Sequence, residues 1–244
     1  MRSPELNTVT EYRFPNPASM AAELAAHISA ALRRLLSVQT SAVLAVSGGK
    51  SPIALFQALS MQDLPWHAVQ VTLVDDRCVP NNHADSNAAL VRKYLLCNYA
   101  KSATFYPLID WDEADEAPDL EAVATRATAD IKRLGGIDVV ILGMGPDGHT
   151  ASLFPFAPQL KAGLDLTAPP GCLHVSPKTA PYERISLNLS AILGADTVCV
   201  AIGGGADKHA VYRGAKEATT NNYPVSHVLR HRGDQPKISV WLHD

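Results

Sequence analysis

The 244-residue chain predicts an α/β fold, a mainly parallel sheet with helices on both faces. Two observations carry that prediction. Apolar runs at residues 42–46, 69–74, 137–142 and 197–202 each end in a polar or glycine turn and read as buried strands. Between them lie segments with helical spacing of apolar residues or with helix start and stop signals. No repeat or low-complexity tract interrupts the pattern. No shift in composition marks a boundary, so residues 1–244 are read as one domain.

Taken in order, Pro15, Asn16 and Pro17 close an extended leader. Met20, Leu24, Ile28, Leu32 and Leu35 then recur at intervals of three and four, which predicts an amphipathic helix over 18–36. The strand at 42–46 turns at Ser47-Gly48-Gly49. Ser51 is placed to cap a helix that begins at Pro52 and runs to about residue 61. The strand at 69–74 ends at Asp75-Asp76-Arg77, and a helix over 85–96 follows. The acidic stretch 110–119 contains Pro118 and reads as a solvated loop. A helix over 120–134 stops at Gly135-Gly136. Beyond the 137–142 strand, Pro155, Pro158, Pro169 and Pro170 mark irregular chain. Residues 184–189 read as a strand or a sheet edge, and 197–202 as a strand turned by Gly203-Gly204-Gly205. A helix over 207–214, a helical turn over 225–229 after Pro224 and a strand over 238–242 complete the chain.

Composition narrows the function classes. With 47% hydrophobic and 18% charged residues the chain can bury a large core. A net charge of −3 with unclustered basic residues argues against a nucleic-acid face. Cys78, Cys97, Cys172 and Cys199 are far apart and form no Cys-x-x-Cys pair, so neither a zinc site nor a disulfide framework is expected. Reduced thiols favour the cytoplasm. Residues 1–17 have no apolar core of signal-peptide type, and no window reaches the ~18 apolar residues of a membrane span.

The chemistry concentrates at Gly143-Met144-Gly145-Pro146-Asp147-Gly148-His149-Thr150, directly after a β-branched run. Ligands bind at the carboxyl edge of open α/β sheets, and this turn puts an imidazole and an acid there. The Gly-x-Gly-x-x-Gly spacing also matches a dinucleotide fingerprint. That motif needs a long helix after its last glycine, whereas Pro155 and Pro158 leave room for only about one or two turns. Gly49-Lys50-Ser51 resembles the end of a P-loop, but Leu44 stands where that loop needs glycine. Ser47-Gly48-Gly49 is then either a plain strand-to-helix turn or an anion site at a helix start. Lys208 follows Gly203-Gly204-Gly205 in a first helical turn, facing either solvent or an anion. Arg77 is either a local ion pair with Asp75 and Asp76 or a fork-shaped donor for phosphate or carboxylate.

Together these segments resemble the 6-phosphogluconolactonase family, in its order along the chain. Ser47-Gly48-Gly49 with Ser51-Pro52 is similar to its first glycine turn, and Asp75-Asp76-Arg77-x-Val79-Pro80 to its Asp-Glu-Arg-x-Val-Pro segment. Asp85-Ser86-Asn87 is similar to its Asp-Ser-Asn, and residues 143–155 are close to its most specific signature. Gly203 to Lys208 resembles its Gly-x-x-x-Lys turn, and Pro224-Val225-Ser226 its closing motif. Asp76 departs from the usual glutamate by one methylene. The resemblance implies the three-layer fold shared with the glucosamine-6-phosphate deaminases. Those enzymes follow Asp-Gly-His with a glutamate that assists ring opening, whereas here Thr150-Ala151-Ser152-Leu153-Phe154-Pro155 follows.

The resemblance also implies the reaction: hydrolysis of 6-phospho-D-glucono-1,5-lactone, with no cofactor and no metal. His149 is expected to deprotonate water and Asp147 to orient it. Gly48, Gly49, Arg77 and Lys208 are expected to hold the phosphate, with Ser47, Asp76, Asn87 and Gly145 also in the binding site. Amides of the 143–148 turn are expected to meet the developing oxyanion. The partner is then a small sugar-phosphate lactone, with no nucleic acid or membrane, on a monomer or a homodimer. Rival readings are an aminosugar-phosphate deaminase and a non-catalytic sugar-phosphate sensor.

Overall fold

The computed structural model describes residues 9–49 and 51–243. Seven parallel strands form the larger sheet: β1 (Thr10–Phe14), β2 (Ala42–Val46), β3 (Val69–Leu73), β5 (Thr104–Tyr106), β6 (Val139–Gly143), β9 (Thr197–Gly203) and β10 (Lys237–His243). Their order is β1-β10-β9-β6-β2-β3-β5. The remaining strands, β4 (Asp75–Arg77), β7 (Cys172–Val175) and β8 (Arg184–Leu187), make a small antiparallel sheet in the order β4-β8-β7.

Strand β2 shows how the sequence builds layers. All five of its residues are buried. Ala42, Leu44 and Val46 enter one core with Leu24, Ile28 and Leu32 of α1 (Pro17–Leu36) and Phe56 of α2 (Ile53–Ser60). Val43 and Ala45 enter a second core with Ile192 of α6 (Leu189–Leu193) and with Tyr212 and Ala215 of α7 (Ala206–Glu217). Successive side chains of a strand point to opposite faces, so the two cores lie on opposite sides of the sheet. Helices therefore cover both faces, as the chain pattern predicts. Helix starts are fixed by local side chains: Asn16 Oδ1 accepts from Ser19 N at 2.9 Å for α1, and Asp119 Oδ1 from Glu121 N at 3.0 Å for α4 (Leu120–Arg133).

The strand order also decides where a ligand can sit. Strand β2 lies between β3 and β6. The chain leaves β2 towards β3 on one side, and leaves β6 towards β9 on the other. Connections that diverge from neighbouring strands open a crevice beyond their carboxyl ends. Ser47-Gly48-Gly49 and Gly143-Met144-Gly145 are those two ends. Strand β4 leaves the large sheet after Val74 and pairs with β8, so Arg77 is carried on the small sheet.

Strands β1, β5 and β7 lie in stretches that carry no apolar run, and each is the edge of its sheet. Edge strands need not be buried on both faces; β1 has only exposed and partly buried positions. The segment read as an extended leader is thus a strand over Thr10–Phe14. Asp75-Asp76-Arg77 is a separate strand rather than the end of β3. Helix α3 covers Asn87–Tyr94, shorter than 85–96, because Ser86 Oγ accepts from Ala89 N and ends the loop there. Pro52 holds the N-cap position of α2, so Ser51 does not cap it, and no side chain does.

Candidate active site

The imidazole end of the crevice comes from one short stretch. After β6 the chain turns at Gly145 and Gly148, the latter with φ of 77°, a left-handed value suited to glycine. Gly145 N donates to His149 O at 2.9 Å and Gly148 N to Gly145 O at 3.0 Å, closing the turn. Val225 N, in the Pro224-Val225-Ser226 segment, donates to Gly148 O at 3.0 Å and latches the turn from outside. A Cβ on Gly145 would collide with the His149 ring and approach Asp147 Oδ1, so the glycine makes room for the pair. His149 Nδ1 lies 2.5 Å from Asp147 Oδ1. Phe154 stacks on the other side of the imidazole, ring centroids 4.1 Å apart at 28°. Burial pushes the Asp147 carboxyl up, but the hydrogen bond and charge of His149 outweigh it and leave the group below its ordinary value. Residues 150–153 form a tight turn with Ala151 at φ 47°, so the long helix of a dinucleotide site does not follow.

The same cavity gathers cations from separate elements. His149, Arg77, Arg184, Lys208, Gly48 and Gly49 all line one cavity of about 780 Å³. Arg77 and Arg184 are direct cross-strand partners in the β4–β8 pair. Like charges in that position repel. Arg184 is only 6% exposed, and its nearest carboxylate, Asp75, is 3.9 Å away. Burial lowers the guanidinium's affinity for its proton, with Asp75 opposing. The Nε atoms of both arginines are buried without hydrogen-bond partners. Arg77 and Lys208 form no ion pair among the described residues. Helices α2 and α7 both start at the cavity, and neither has a side-chain cap. Gly48 and Gly49 amides have no hydrogen-bond partner among the described residues. Uncapped helix starts, open amides and unneutralised cations converge as a site for a multiply charged anion.

Other expected binding residues have different surroundings. Asp76 is 1% exposed and does not line the cavity. Its carboxylate accepts from Asn87 N at 2.8 Å, Ala88 N at 3.1 Å and Arg77 N at 2.8 Å. It is a bracket holding α3 and Arg77 rather than part of the cavity lining. Burial pushes it up to about 7, against the pull of those three amides. Asn87 is buried against Gly48, where a glycine Cβ would strike its side-chain oxygen; it lines the cavity, and its Nδ2 donates to Asp75 O at 2.8 Å. Ser47 lines the cavity, but its hydroxyl bridges strand ends, donating to Ile141 O at 3.0 Å and accepting from Gly143 N at 3.1 Å. Gly143, Gly145, Gly148 and His149 amides are all spent within the turn region. Asp147 sits behind the imidazole rather than on the cavity wall.

Sequence reasoning missed Arg184, Asp75 and Phe154. Asp75 lines the cavity and accepts from Ser152 Oγ at 2.5 Å. Phe154 touches both groups: it stacks on His149, and the Arg184 guanidinium carbon lies 5.6 Å from its ring centroid. A readable signal existed for Arg184. Arg184, Ser186 and Asn188 alternate with Ile185, Leu187 and Leu189, and all three polar residues are buried.

Fold and site together define an α/β protein with an imidazole and a cluster of cations in one crevice. The chain belongs to the family of glucosamine-6-phosphate isomerases/6-phosphogluconolactonase, whose model matches residues 15–237. A 6-phosphogluconolactonase of Neisseria meningitidis serogroup A is 44% identical over 222 residues, 91% of this chain and 94% of the relative. The crystal structure of a 6-phosphogluconolactonase from Shewanella baltica superposes with a TM-score of 0.85 at 35% identity, covering 98% of each chain. A monomeric glucosamine-6-phosphate deaminase shares the fold, with a TM-score of 0.76 at 14% identity, over 96% of this chain and 97% of that one. No helix among the described residues is long and apolar enough to cross a membrane.

Proposed function

We propose that this protein hydrolyses 6-phospho-D-glucono-1,5-lactone to 6-phospho-D-gluconate, the second step of the oxidative pentose phosphate pathway. One observation carries the reading: a carboxylate-paired imidazole and three cations, two of them without an ion pair among the described residues, share a single cavity. The substrate has the matching polarity, an ester carbonyl at one end and a phosphate dianion at the other. Relatives that carry the lactonase name cover nearly the whole chain.

Asp147, held ionised, only accepts hydrogen bonds, so His149 Nδ1 carries the proton and the Nε2 lone pair is left for water. In this reading Nε2 takes a proton as water attacks the lactone carbonyl. The tetrahedral intermediate then collapses with cleavage of the ring C1–O bond. The imidazolium returns its proton to the departing ring oxygen, which becomes the sugar's 5-hydroxyl. The new carboxyl group loses its proton to solvent. Asp147 stabilises the imidazolium in between. Arg77, Arg184, Lys208 and the amides of Gly48 and Gly49 bind the phosphate and fix the carbonyl near His149, a gain in orientation. Four unpaired thiols at Cys78, Cys97, Cys172 and Cys199 suit a cytoplasmic setting.

The test is acid release in a pH-stat from freshly prepared lactone, corrected for spontaneous hydrolysis. Turnover well above the uncatalysed rate is the expected result. Ammonia release from glucosamine 6-phosphate, or phosphogluconate binding without lactone turnover, would replace the reading.

A further inference from the structure

Arg77 and Arg184 are held by more than their strands. Arg77 Nη1 donates to the main-chain carbonyl of Asp85 at 2.7 Å, in the loop between β4 and α3. Arg184 Nη2 donates to the carbonyl of Pro181 at 3.0 Å, in the loop between β7 and β8. One side-chain bond joins these two loops: the Tyr182 hydroxyl donates to Asp85 Oδ2 at 3.0 Å. The Tyr182 ring meets His83 edge-on, centroids 5.7 Å apart at 75°, and His83 Nδ1 accepts from Asp85 N at 3.0 Å. Arg77 and Arg184 are themselves register partners. The contacts therefore close a ring: Arg77, Asp85, Tyr182, Pro181, Arg184 and back to Arg77.

Two further features give that ring a purpose. Tyr182 sits at φ 67°, a left-handed conformation that a bulky aromatic residue rarely adopts. Such strain persists where the surroundings over-determine it, and it gathers at functional sites. The base of the β7–β8 loop is fixed as well: Ser176 Oγ donates to Glu183 Oε2 at 2.6 Å, His174 Nε2 meets the same oxygen, and Cys78 N donates to Glu183 O at 2.8 Å. The loop thus presents the Tyr182 hydroxyl at a defined place. Two neighbouring guanidiniums repel each other when no anion lies between them, and a link between their two carbonyl anchors opposes that splaying.

We propose that Tyr182 is a positioning residue, whose hydroxyl clasps the two loops so that Arg77 and Arg184 converge on one phosphate. The proposal rests on the assignment of those arginines to the substrate phosphate. Tyr182→Phe keeps the ring on His83 and removes only the hydroxyl. Its KM for the phosphorylated lactone should rise about 3–10-fold with kcat within about twofold, the scale of one ordinary lost hydrogen bond. Competitive inhibition by inorganic phosphate should weaken by the same factor. Hydrolysis of unphosphorylated glucono-1,5-lactone should keep its kcat/KM. Asp85→Ala should produce a similar KM, and the double variant should be no worse than either single one, since both break one contact.

Unchanged KM and phosphate inhibition in Tyr182→Phe, alongside a raised KM in Arg77→Ala, would overturn the clasp and leave the phosphate cradle standing. An unchanged KM in both Arg77→Ala and Arg184→Gln would overturn the cradle and the clasp with it. An equal loss on both lactones in Tyr182→Phe would mark a general structural effect and overturn the clasp alone.

Discussion

The two ends of the crevice are built in opposite ways. The imidazole end is local and satisfied: residues 143–154 supply the imidazole, its carboxylate, its stacking ring and a turn whose amides bond within its immediate surroundings. The cation end is assembled from β4, β8, α7 and the β2–α2 turn, and it is electrostatically incomplete. Cross-strand arginines, unpartnered Nε atoms and uncapped helix starts wait for negative charge. A base works without further ligands once it is aimed, whereas an anion cradle that neutralised itself would bind nothing. The contrast supports the proposed division, with chemistry at His149 and grip at the cations.

Substitutions that separate kcat from KM sharpen that contrast. His149→Ala should lower kcat by about 100-fold or more, the scale of a lost general base, with little change in KM. Arg77→Ala should raise KM for the phosphorylated lactone by about 10–100-fold, as expected for a lost charge-assisted hydrogen bond. Its kcat should change far less, and steady-state kinetics on both lactones checks each split. Asp147→Asn keeps an oxygen to orient Nδ1–H but removes the charge that stabilises imidazolium. A loss of about one pKa unit's worth of stabilisation corresponds to ~10-fold in kcat.

The smallest effect concerns stability rather than turnover. Asp76 is raised to about 7 in the folded chain by burial, above its value when unfolded. The folded state therefore binds the extra proton, and this contribution to stability is present below about pH 4 and lost as pH rises through 7. Over that window wild type should lose on the order of 2–4 kcal/mol from this group. Asp76→Asn cannot ionise, so urea unfolding at pH 4.5 and 7.5 should show the variant gaining on wild type at the higher pH. Equal differences at both pH values would contradict the assignment.

Legibility in the sequence follows the same division. The β6–turn–His149 unit is continuous, so its glycines, acid and imidazole are readable from spacing alone. The central strands are readable because burial on both faces makes them uniformly apolar, as in β2. Edge strands β1, β5 and β7 lack that signature. Arg184 was hidden because its role depends on pairing with a strand more than a hundred residues earlier. Asp76 carries a motif-like position, yet its carboxylate turns inward to three backbone amides. Spacing gives the residue but not the direction in which its side chain points.

The central claim, chemistry at one end and grip at the other, meets its most direct test in one comparison. Pre-steady-state and steady-state hydrolysis of phosphorylated and unphosphorylated gluconolactone is measured in wild type and His149→Ala, each corrected for spontaneous reaction. The account requires His149→Ala to lose the same factor of about 100 or more on both substrates while phosphate still inhibits as in wild type. Wild-type turnover in His149→Ala, or a loss confined to the phosphorylated lactone, would contradict it.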